Sequence, residues 1–127
     1  MAKRSRASCP TLSLLHLMGK KWTMPVVELL CPSNKPRTLQ FNQMQQLLVS
    51  ITPKNLSRSL KELLAADIVK KTETKTNGML SVGYSLTEQG LVFREFIRNS
   101  KTLGVSLYSL NPYCPNRQCN LCQAFNQ

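Results

Sequence analysis

The sequence predicts a mainly helical domain that carries one small β-hairpin. Apolar residues recur at helical spacing through most of the chain between residues 10 and 110. Residues 69–86 alternate instead around Asn77-Gly78, a dipeptide that favours a two-residue hairpin turn because both residues accept a positive φ. Short helices, a hairpin and a final long helix follow one another in the order of a winged helix-turn-helix, which is an α+β fold.

Three short helices are predicted in the first part of the chain. The first begins at Pro10 and stops at Gly19, because proline is tolerated at the first helical position and glycine commonly ends a helix. The second begins near Thr23 and ends before Pro32. The third follows the polar loop 33–37 and has helical spacing at its apolar positions, which are Phe41, Met44, Leu47 and Leu48.

The fourth predicted helix is the one most suited to bind nucleic acid. Thr52 provides an N-cap and Pro53 occupies the first helical position. Its apolar residues fall on one side, at Leu56, Leu60, Leu63 and Leu64. The opposite side carries donors suited to phosphates and to base edges in the major groove, namely Lys54, Asn55, Ser57, Arg58 and Lys61. We predict that Thr52 and these five residues contact DNA.

The hairpin and the final helix predict a second DNA contact and a dimer. The first strand of the hairpin is basic, and we predict phosphate contacts from Lys70, Lys71 and Lys75. A long helix is predicted from Thr87 to about Leu110. Its apolar residues exceed what a small core can cover, so part of it is expected to pack against a second copy of the chain.

Composition favours a polyanionic partner and one main domain. The 127 residues include 17 Lys and Arg against six Asp and Glu, a formal charge of +11. We predict a basic flexible arm at 1–8, a winged helix-turn-helix domain with its dimerisation helices at 9–110, and a cysteine-containing tail at 111–127. The short apolar run 12–18 lacks a cleavage site and no stretch is long enough to span a bilayer, so the predicted location is cytoplasmic, without membrane contact.

The five cysteines are predicted to be thiols, metal ligands or redox sensors, since a cytoplasmic location disfavours structural disulfides. Cys114, Cys119 and Cys122 lie within nine residues, and the last two have a spacing that lets two thiolates face one ion. Cys9 is the candidate fourth member. Zinc is one possible occupant. An iron-sulfur cluster fits less well because its fourth ligand normally lies downstream, while a redox switch and plain unpaired thiols remain alternatives.

Several short blocks of this sequence occur in the order and spacing of a known family. They are Cys9-Pro10, Gly19-Lys20-Lys21-Trp22-Thr23, Leu39-Gln40-Phe41-Asn42-Gln43-Met44, Ile51-Thr52-Pro53-Lys54-Asn55-Leu56-Ser57, Leu60-Lys61-Glu62-Leu63 and Tyr84-Ser85-Leu86-Thr87-Glu88-Gln89-Gly90. From about Cys9 to Leu107 the chain resembles the HxlR-type transcriptional regulators.

The resemblance carries structural and functional implications. It implies a dimer in which the first and last helices of two protomers pack together, with 52–67 as the recognition helix and 69–86 as the wing. It also implies that the position of Cys9 is one at which some relatives sense oxidants or electrophiles. Two features depart from the family: residues 76–79 replace the proline and arginine often found in the wing, and the cysteine-bearing tail lies outside the resemblance.

The expected function is that of a sequence-specific DNA-binding transcriptional regulator. Its DNA site is predicted to be an inverted repeat in duplex DNA, and its signal a redox, thiol-reactive or metal signal received through the cysteines. No catalytic role is predicted, since the sequence offers no paired carboxylates, no nucleophile with a histidine partner and no glycine-rich phosphate loop. The alternatives are a basic RNA-binding or ribosome-associated module with a zinc-bearing tail, and a thiol oxidoreductase.

Overall fold

The computed structural model describes residues 9–109, 113–116, 118 and 119. Its α-helices are α1 (Pro10–Met18), α2 (Thr23–Leu29), α3 (Phe41–Leu47), α4 (Pro53–Ala65) and α5 (Glu88–Tyr108). Strands β1 (Val69–Thr76) and β2 (Met79–Leu86) form one antiparallel sheet, and short 3-10 turns cover Pro32–Asn34 and Cys114–Asn116. The predicted mainly helical fold with a hairpin wing is confirmed. The predicted arm at 1–8 and most of the tail, including Cys122, lie outside the described residues.

The core lies between α2, α4 and α5, and it is closed on one side by α3 and the base of the hairpin. Helix α2 is enclosed on nearly all sides, with Val26, Val27 and the C-cap residue Leu30 fully buried. Helix α4 buries one side only, through the predicted residues Leu56, Leu60 and Leu63. One-sided burial of this kind fixes which face of α4 remains available to a partner.

Both ends of α4 are defined by local hydrogen bonds. At its start, the Thr52 hydroxyl accepts the backbone N–H of Asn55 at 3.1 Å, as the sequence predicts for an N-cap. At its end, the N–H groups of Asp67 and Ile68 bond back to the carbonyls of Leu64 and Leu63. This is the Schellman arrangement, and it places Asp67 at the left-handed position with φ +61°, where glycine is the usual residue.

The hairpin pairs Val69 with Leu86 at its base and Thr76 with Met79 at its tip. Its turn residues Asn77 and Gly78 have φ values of +53° and +78°, which confirms the predicted two-residue turn. The apolar alternation along β2 becomes buried only at the base. Leu86 is buried, Val82 and Tyr84 are half-buried, and Leu80 is 58% exposed. The outer part of the wing therefore projects away from the core.

A compact junction joins α4, the wing and α5. The Thr87 hydroxyl donates to the Asp67 carbonyl at 2.6 Å and accepts the Gly90 N–H at 2.9 Å. The Thr87 N–H bonds to the Ile68 carbonyl at 3.0 Å. Helix α5 also passes so close that a Cβ added to Gly90 would lie 2.2 Å from the Ile68 carbonyl oxygen. Only glycine fits this contact without movement of the backbone.

Replacing Gly90 with alanine tests the importance of this close approach. We expect Gly90→Ala to lower the free energy of unfolding by about 1–3 kcal/mol, because the added methyl group pushes α5 off the Ile68 carbonyl. The matched control is Gly104→Ala in the same helix, where no atom of the described chain lies within 4 Å of the added Cβ. That control should raise stability by roughly 0.5–1 kcal/mol through helix propensity. Urea unfolding followed by circular dichroism measures both, and equal effects would contradict the junction's role.

Candidate nucleic-acid interface and thiol sites

The exposed face of α4 carries the predicted DNA-contacting side chains. Lys54, Ser57, Arg58 and Lys61 are exposed, Asn55 is half-buried beneath them, and Thr52 is exposed at the N-cap. Lys54, Arg58 and Lys61 stand at i, i+4 and i+7, so they form one row along the helix. Glu62, the single acid of α4, stands four residues after Arg58 and so borders this row. The face is therefore a cationic, donor-rich surface suited to a polyanion.

An ion pair joins α4 to the turn between α1 and α2. The Lys20 Nζ lies 2.7 Å from a Glu62 carboxylate oxygen, and both side chains are partly exposed. The pairing engages the only acid of the helix with Lys20, so the neighbouring row of cations keeps its net positive charge. Exposed pairs of this kind contribute little stability, about 0–1 kcal/mol, so its main effect is on the distribution of charge. Sequence analysis missed this pair because 42 residues separate its members.

The wing adds a second cationic surface. Lys70, Lys71 and Lys75 are exposed along β1, as predicted, and Glu73 is the single acid of the hairpin. Lys71 and Lys75 share one face of the hairpin and Lys70 lies on the other. Lysines on a projecting ribbon are suited to phosphate contacts, which set the position of a protein on a duplex without reading sequence.

A polar cleft supports the wing from the side of α3. It is lined by Thr38, Gln40, Gln43, Thr72, Thr74, Ser81 and Gly83. The Gln40 amide donates to the Ser81 hydroxyl at 2.6 Å, and Gln40 also forms a capping box with Gln43 at the start of α3. Leu39 bonds to Tyr84 in both directions, at 2.8 and 3.0 Å. These bonds tie the angle of the wing to the helix-turn-helix, and sequence analysis did not identify them.

Helices α1 and α5 expose an apolar surface. No residue of α1 is buried. An open groove runs between α1, the end of α4 and the first half of α5, and its lining includes Cys9, Leu12, Leu15, Val92 and Phe96. Further along α5, large apolar side chains are exposed at Leu103, Leu107 and Tyr108. Exposed apolar side chains of this number are typical of a protein-protein interface.

Cys9 lies exposed at the N-terminus of α1 and at the edge of that groove. Its thiol forms no regular N-cap hydrogen bond. Interaction with the backbone N–H groups of Leu12 and Thr11 nevertheless lowers the pKa of the Cys9 thiol below its ordinary value. A lowered pKa increases the thiolate fraction near neutral pH, and the thiolate is the nucleophilic and oxidisable form.

Cys119 lies in the opposite kind of environment. It is buried, and burial together with the nearby Glu28 carboxylate raises the pKa of its thiol to about 12. Glu28 is itself buried, forms an ion pair with Lys101 of α5, and accepts the backbone N–H of Cys119 at 3.0 Å. This part of the tail is therefore held against α2 and α5 by a buried carboxylate.

Within the described part of the chain, the predicted cysteines do not form one cluster. Cys9 is at the groove, Cys119 is beside Glu28, and Cys114 is half-buried in the tail. Among residues 9–109, 113–116, 118 and 119, no group of three potential metal-ligating side chains is found. Cys122 lies outside the described residues, so the predicted metal or redox cluster stays a prediction, and metal analysis of protein purified without chelator would test it.

Comparison with known proteins identifies the family. The sequence profile of the HxlR-like helix-turn-helix family matches residues 17–109. The chain belongs to this family. It is 34% identical over 77 residues to the uncharacterized HTH-type transcriptional regulator YdzF of Bacillus subtilis (strain 168), a match that spans 60% of this chain and 66% of YdzF. It thus covers slightly less than two thirds of that relative, which is named as a transcriptional regulator and not as an enzyme.

Solved structures share the fold. The reduced form of the transcriptional regulator YodB from B. subtilis superposes with a TM-score of 0.71 at 23% identity, over 82% of this chain and 98% of YodB. The reduced form of the redox regulator HypR superposes with a TM-score of 0.64 at 28% identity, over 77% of this chain and 92% of HypR. The resemblance stated from the sequence is thereby confirmed, as is the winged-helix fold. No helix among the described residues is long and apolar enough to cross a membrane.

The two thiol environments predict different reactivity. At pH 8 a thiol with a pKa of about 12 is ionised in roughly one molecule in ten thousand, and Cys119 is also buried. We expect iodoacetamide to label Cys9 rapidly, with a rate that rises with pH until its lowered pKa is passed, while Cys119 stays unlabelled. Peptide mass spectrometry measures the rates, and labelling in 8 M urea provides the control in which both react. Equal rates in the folded protein would contradict these environments.

Proposed function

We propose that the chain is a homodimeric transcriptional regulator that binds an inverted repeat in duplex DNA and responds to modification of Cys9. The observation that carries the DNA-binding part is the uncompensated row of cations and donors on α4. It is supported by the lysines of the wing and by the formal charge of +11. Electrostatic attraction of this kind supplies much of the affinity of DNA-binding proteins.

The two cationic surfaces have different roles in this proposal. Helix α4 enters the major groove, where Arg58 and Lys54 donate to base edges or phosphates, and Asn55, Ser57 and Lys61 complete the contact. The wing lysines contact phosphates and fix the position of the protein on the duplex. Two such units related by a two-fold axis meet successive major grooves about one helical turn apart, so the preferred site is an inverted repeat.

The DNA contacts are tested with a duplex that the protein enriches from a random-sequence pool. We expect Arg58→Ala to weaken binding by about 1–3 kcal/mol when Arg58 reads a base. Arg58→Lys is the matched control, because it keeps the charge but loses the planar donor geometry.

The triple change K70A/K71A/K75A should lower the slope of log Kd against log salt by about 2–3, since each phosphate contact contributes about 0.9. An unchanged slope would contradict the wing contacts, and equal affinity for RNA of the same sequence would favour the RNA-binding alternative.

In this proposal the dimer interface and the sensing cysteine lie on the same surface. Exposed apolar residues of α1 and α5 pack against their counterparts in a second chain, and Cys9 lies at the edge of the groove that this packing fills. Its thiol has the lowered pKa that a sensing cysteine needs. HypR, a relative at 28% identity, is described as a redox regulator and has been observed in reduced and oxidized forms.

Addition of N-ethylmaleimide to Cys9 tests both the proposed dimer and the proposed sensing role of Cys9. The adduct places a bulky group at the groove, so we expect weaker dimerisation and at least tenfold weaker DNA binding, a change of about 1.4 kcal/mol. Cys9→Ser should keep normal DNA affinity and lose the response to the reagent, whereas Cys119→Ser should leave the response intact. Sedimentation velocity and fluorescence anisotropy measure the two effects. A monomer at micromolar concentration without reagent would contradict the dimer, and an unchanged response in Cys9→Ser would contradict the sensor.

A further inference from the structure

Three cations of α5 lie on the side of the helix that faces the end of α2. They are Arg94, Arg98 and Lys101, spaced i, i+4 and i+7. Lys101 forms an ion pair with the buried carboxylate of Glu28. The two arginines instead donate to one neutral group, the side-chain amide oxygen of Asn34, at 2.8 Å and 3.2 Å. The lysine therefore has a buried acid as its partner, whereas the arginines share an amide.

Arg94 is the more deeply buried of the two arginines. It is 9% exposed, and its Nε–H has no hydrogen-bond partner within the described part of the chain. An unpaired buried donor is costly, and the cost is greater when the group is charged. The Nε–H is also one half of the fork with which an arginine binds an oxyanion through two parallel bonds. The guanidinium of Arg94 thus has unused capacity to bind an anion.

The charge around the two guanidinium groups is positive. Both donating nitrogen atoms lie close to one oxygen atom, so they are at most about 6 Å apart, and like charges at this separation repel. Glu95 approaches Arg94 to 3.7 Å, but its side chain is 56% exposed, and an ion pair of this kind contributes little. The amide of Asn34 carries no net charge. Arg94, Arg98 and Asn34, which we call the arginine cluster, therefore lack a buried counter-charge among the described residues.

The arginine cluster is separate from the proposed DNA-binding face. Helix α4 packs its apolar side into the core that it forms with α2 and α5, so its exposed cations point away from those helices. The arginines lie on α5, and Asn34 lies in the turn after α2. The core thus lies between the arginine cluster and a duplex bound by α4.

We propose that the arginine cluster binds a phosphate group, free or carried by a small organic molecule, which replaces the Asn34 amide as the shared acceptor. A phosphate is close to dianionic near neutral pH and presents at least three acceptor oxygens, so one group satisfies both guanidiniums and the Nε–H of Arg94. A carboxylate offers only two oxygens and one charge. Asn34 is exposed and has a left-handed φ of +65°, so its loop can yield its place at modest cost.

Thermal unfolding in inorganic phosphate tests the site without DNA, with chloride at equal ionic strength as the reference. We expect a saturable rise in the Tm of wild type, about 3–8 °C at ten times the Kd. Phosphate also stabilises proteins generally by exclusion from their surface, but that effect does not saturate and is shared by all variants. Glycerol phosphate, with glycerol as its control, tests the organic source, and saturation by either phosphate supports the site. Acetate should produce no saturable rise.

Four variants change the arginine cluster or its surroundings. Arg98→Gln removes one guanidinium and should abolish the saturable rise. Asn34→Asp places a carboxylate between the arginines, so it should raise Tm in chloride and remove the response to phosphate. Glu95→Gln removes a competing acid and should lower the Kd for phosphate about threefold. Lys35→Gln is the matched control, since it removes one exposed charge from the same loop and should keep the Kd within about twofold of wild type.

The outcomes keep this site distinct from the proposed function. The site is overturned if wild type shows no saturable response, or if Arg98→Gln and Asn34→Asp respond as wild type does. Because Asn34 and Glu95 are exposed, their variants test the site even if Arg98→Gln fails to fold. A saturable response to acetate would replace the phosphate with a carboxylate and overturn the proposal. A salt slope of DNA binding lowered by about 1 in Arg98→Gln would assign the phosphate to the DNA backbone and also overturn it. Failure of wild type to bind any duplex would overturn the proposed function alone.

Discussion

The geometry of the proposed DNA-binding surface depends on the junction at the carbonyl groups of Asp67 and Ile68. The N–H groups of the same two residues end α4, the wing begins at the next residue, and the two carbonyls accept the hydrogen bonds of Thr87 at the start of α5. A recognition helix and a wing contact one duplex together only when their relative position is fixed. The junction fixes it with backbone groups and one hydroxyl, and the close approach of Gly90 leaves no space for α5 to shift. Helix propensity alone would not determine this angle.

Much of the fold was predictable because it follows from local chemistry. Pro10, Pro53 and the Thr52 cap mark helix starts, and Asn77-Gly78 marks the hairpin, so the boundaries of these elements agree with the structure to within a residue or two. The DNA-facing residues of α4 were predictable for the same reason, since one-sided burial at Leu56, Leu60 and Leu63 assigns the opposite side to the surface.

Other features depend on contacts between distant parts of the chain, and local patterns carry little information about them. The pairing of Glu28 with Lys101 spans 73 residues, and nothing in the spacing of either residue predicts that a carboxylate in the last turn of an apolar helix meets a lysine in the second half of α5. The same holds for Gln40 and Ser81. The exposed position of Leu80 was also not evident, because an apolar residue in an alternating strand predicts burial whether or not a core reaches that far.

The buried Glu28–Lys101 pair lies beside one of two cysteines that differ strongly in chemistry. Burial, and then the Glu28 carboxylate, raises the pKa of the Cys119 thiol, while backbone N–H groups at the start of α1 lower the pKa of the Cys9 thiol. Removing either charge of the pair would leave the other buried and unpaired, which is strongly destabilising. The pair thus ties the tail segment around Cys119 to the stability of the domain, and it keeps that thiol unreactive while the segment is in place.

Helix α1 has nine residues and buries none of them within its own chain. Isolated helices of that length are marginal in water, and only Leu17 and Met18 of α1 pack against the core of the protomer, so part of the free energy that keeps α1 folded is expected to come from outside the protomer. In the proposed dimer that source is the second chain, and association and the ordering of α1 become one equilibrium. The folded N-terminus of α1, which lowers the pKa of the Cys9 thiol, then becomes more populated as the dimeric fraction of the protein rises. A cell that holds little of this protein would accordingly have fewer regulators and, molecule for molecule, a less reactive thiol.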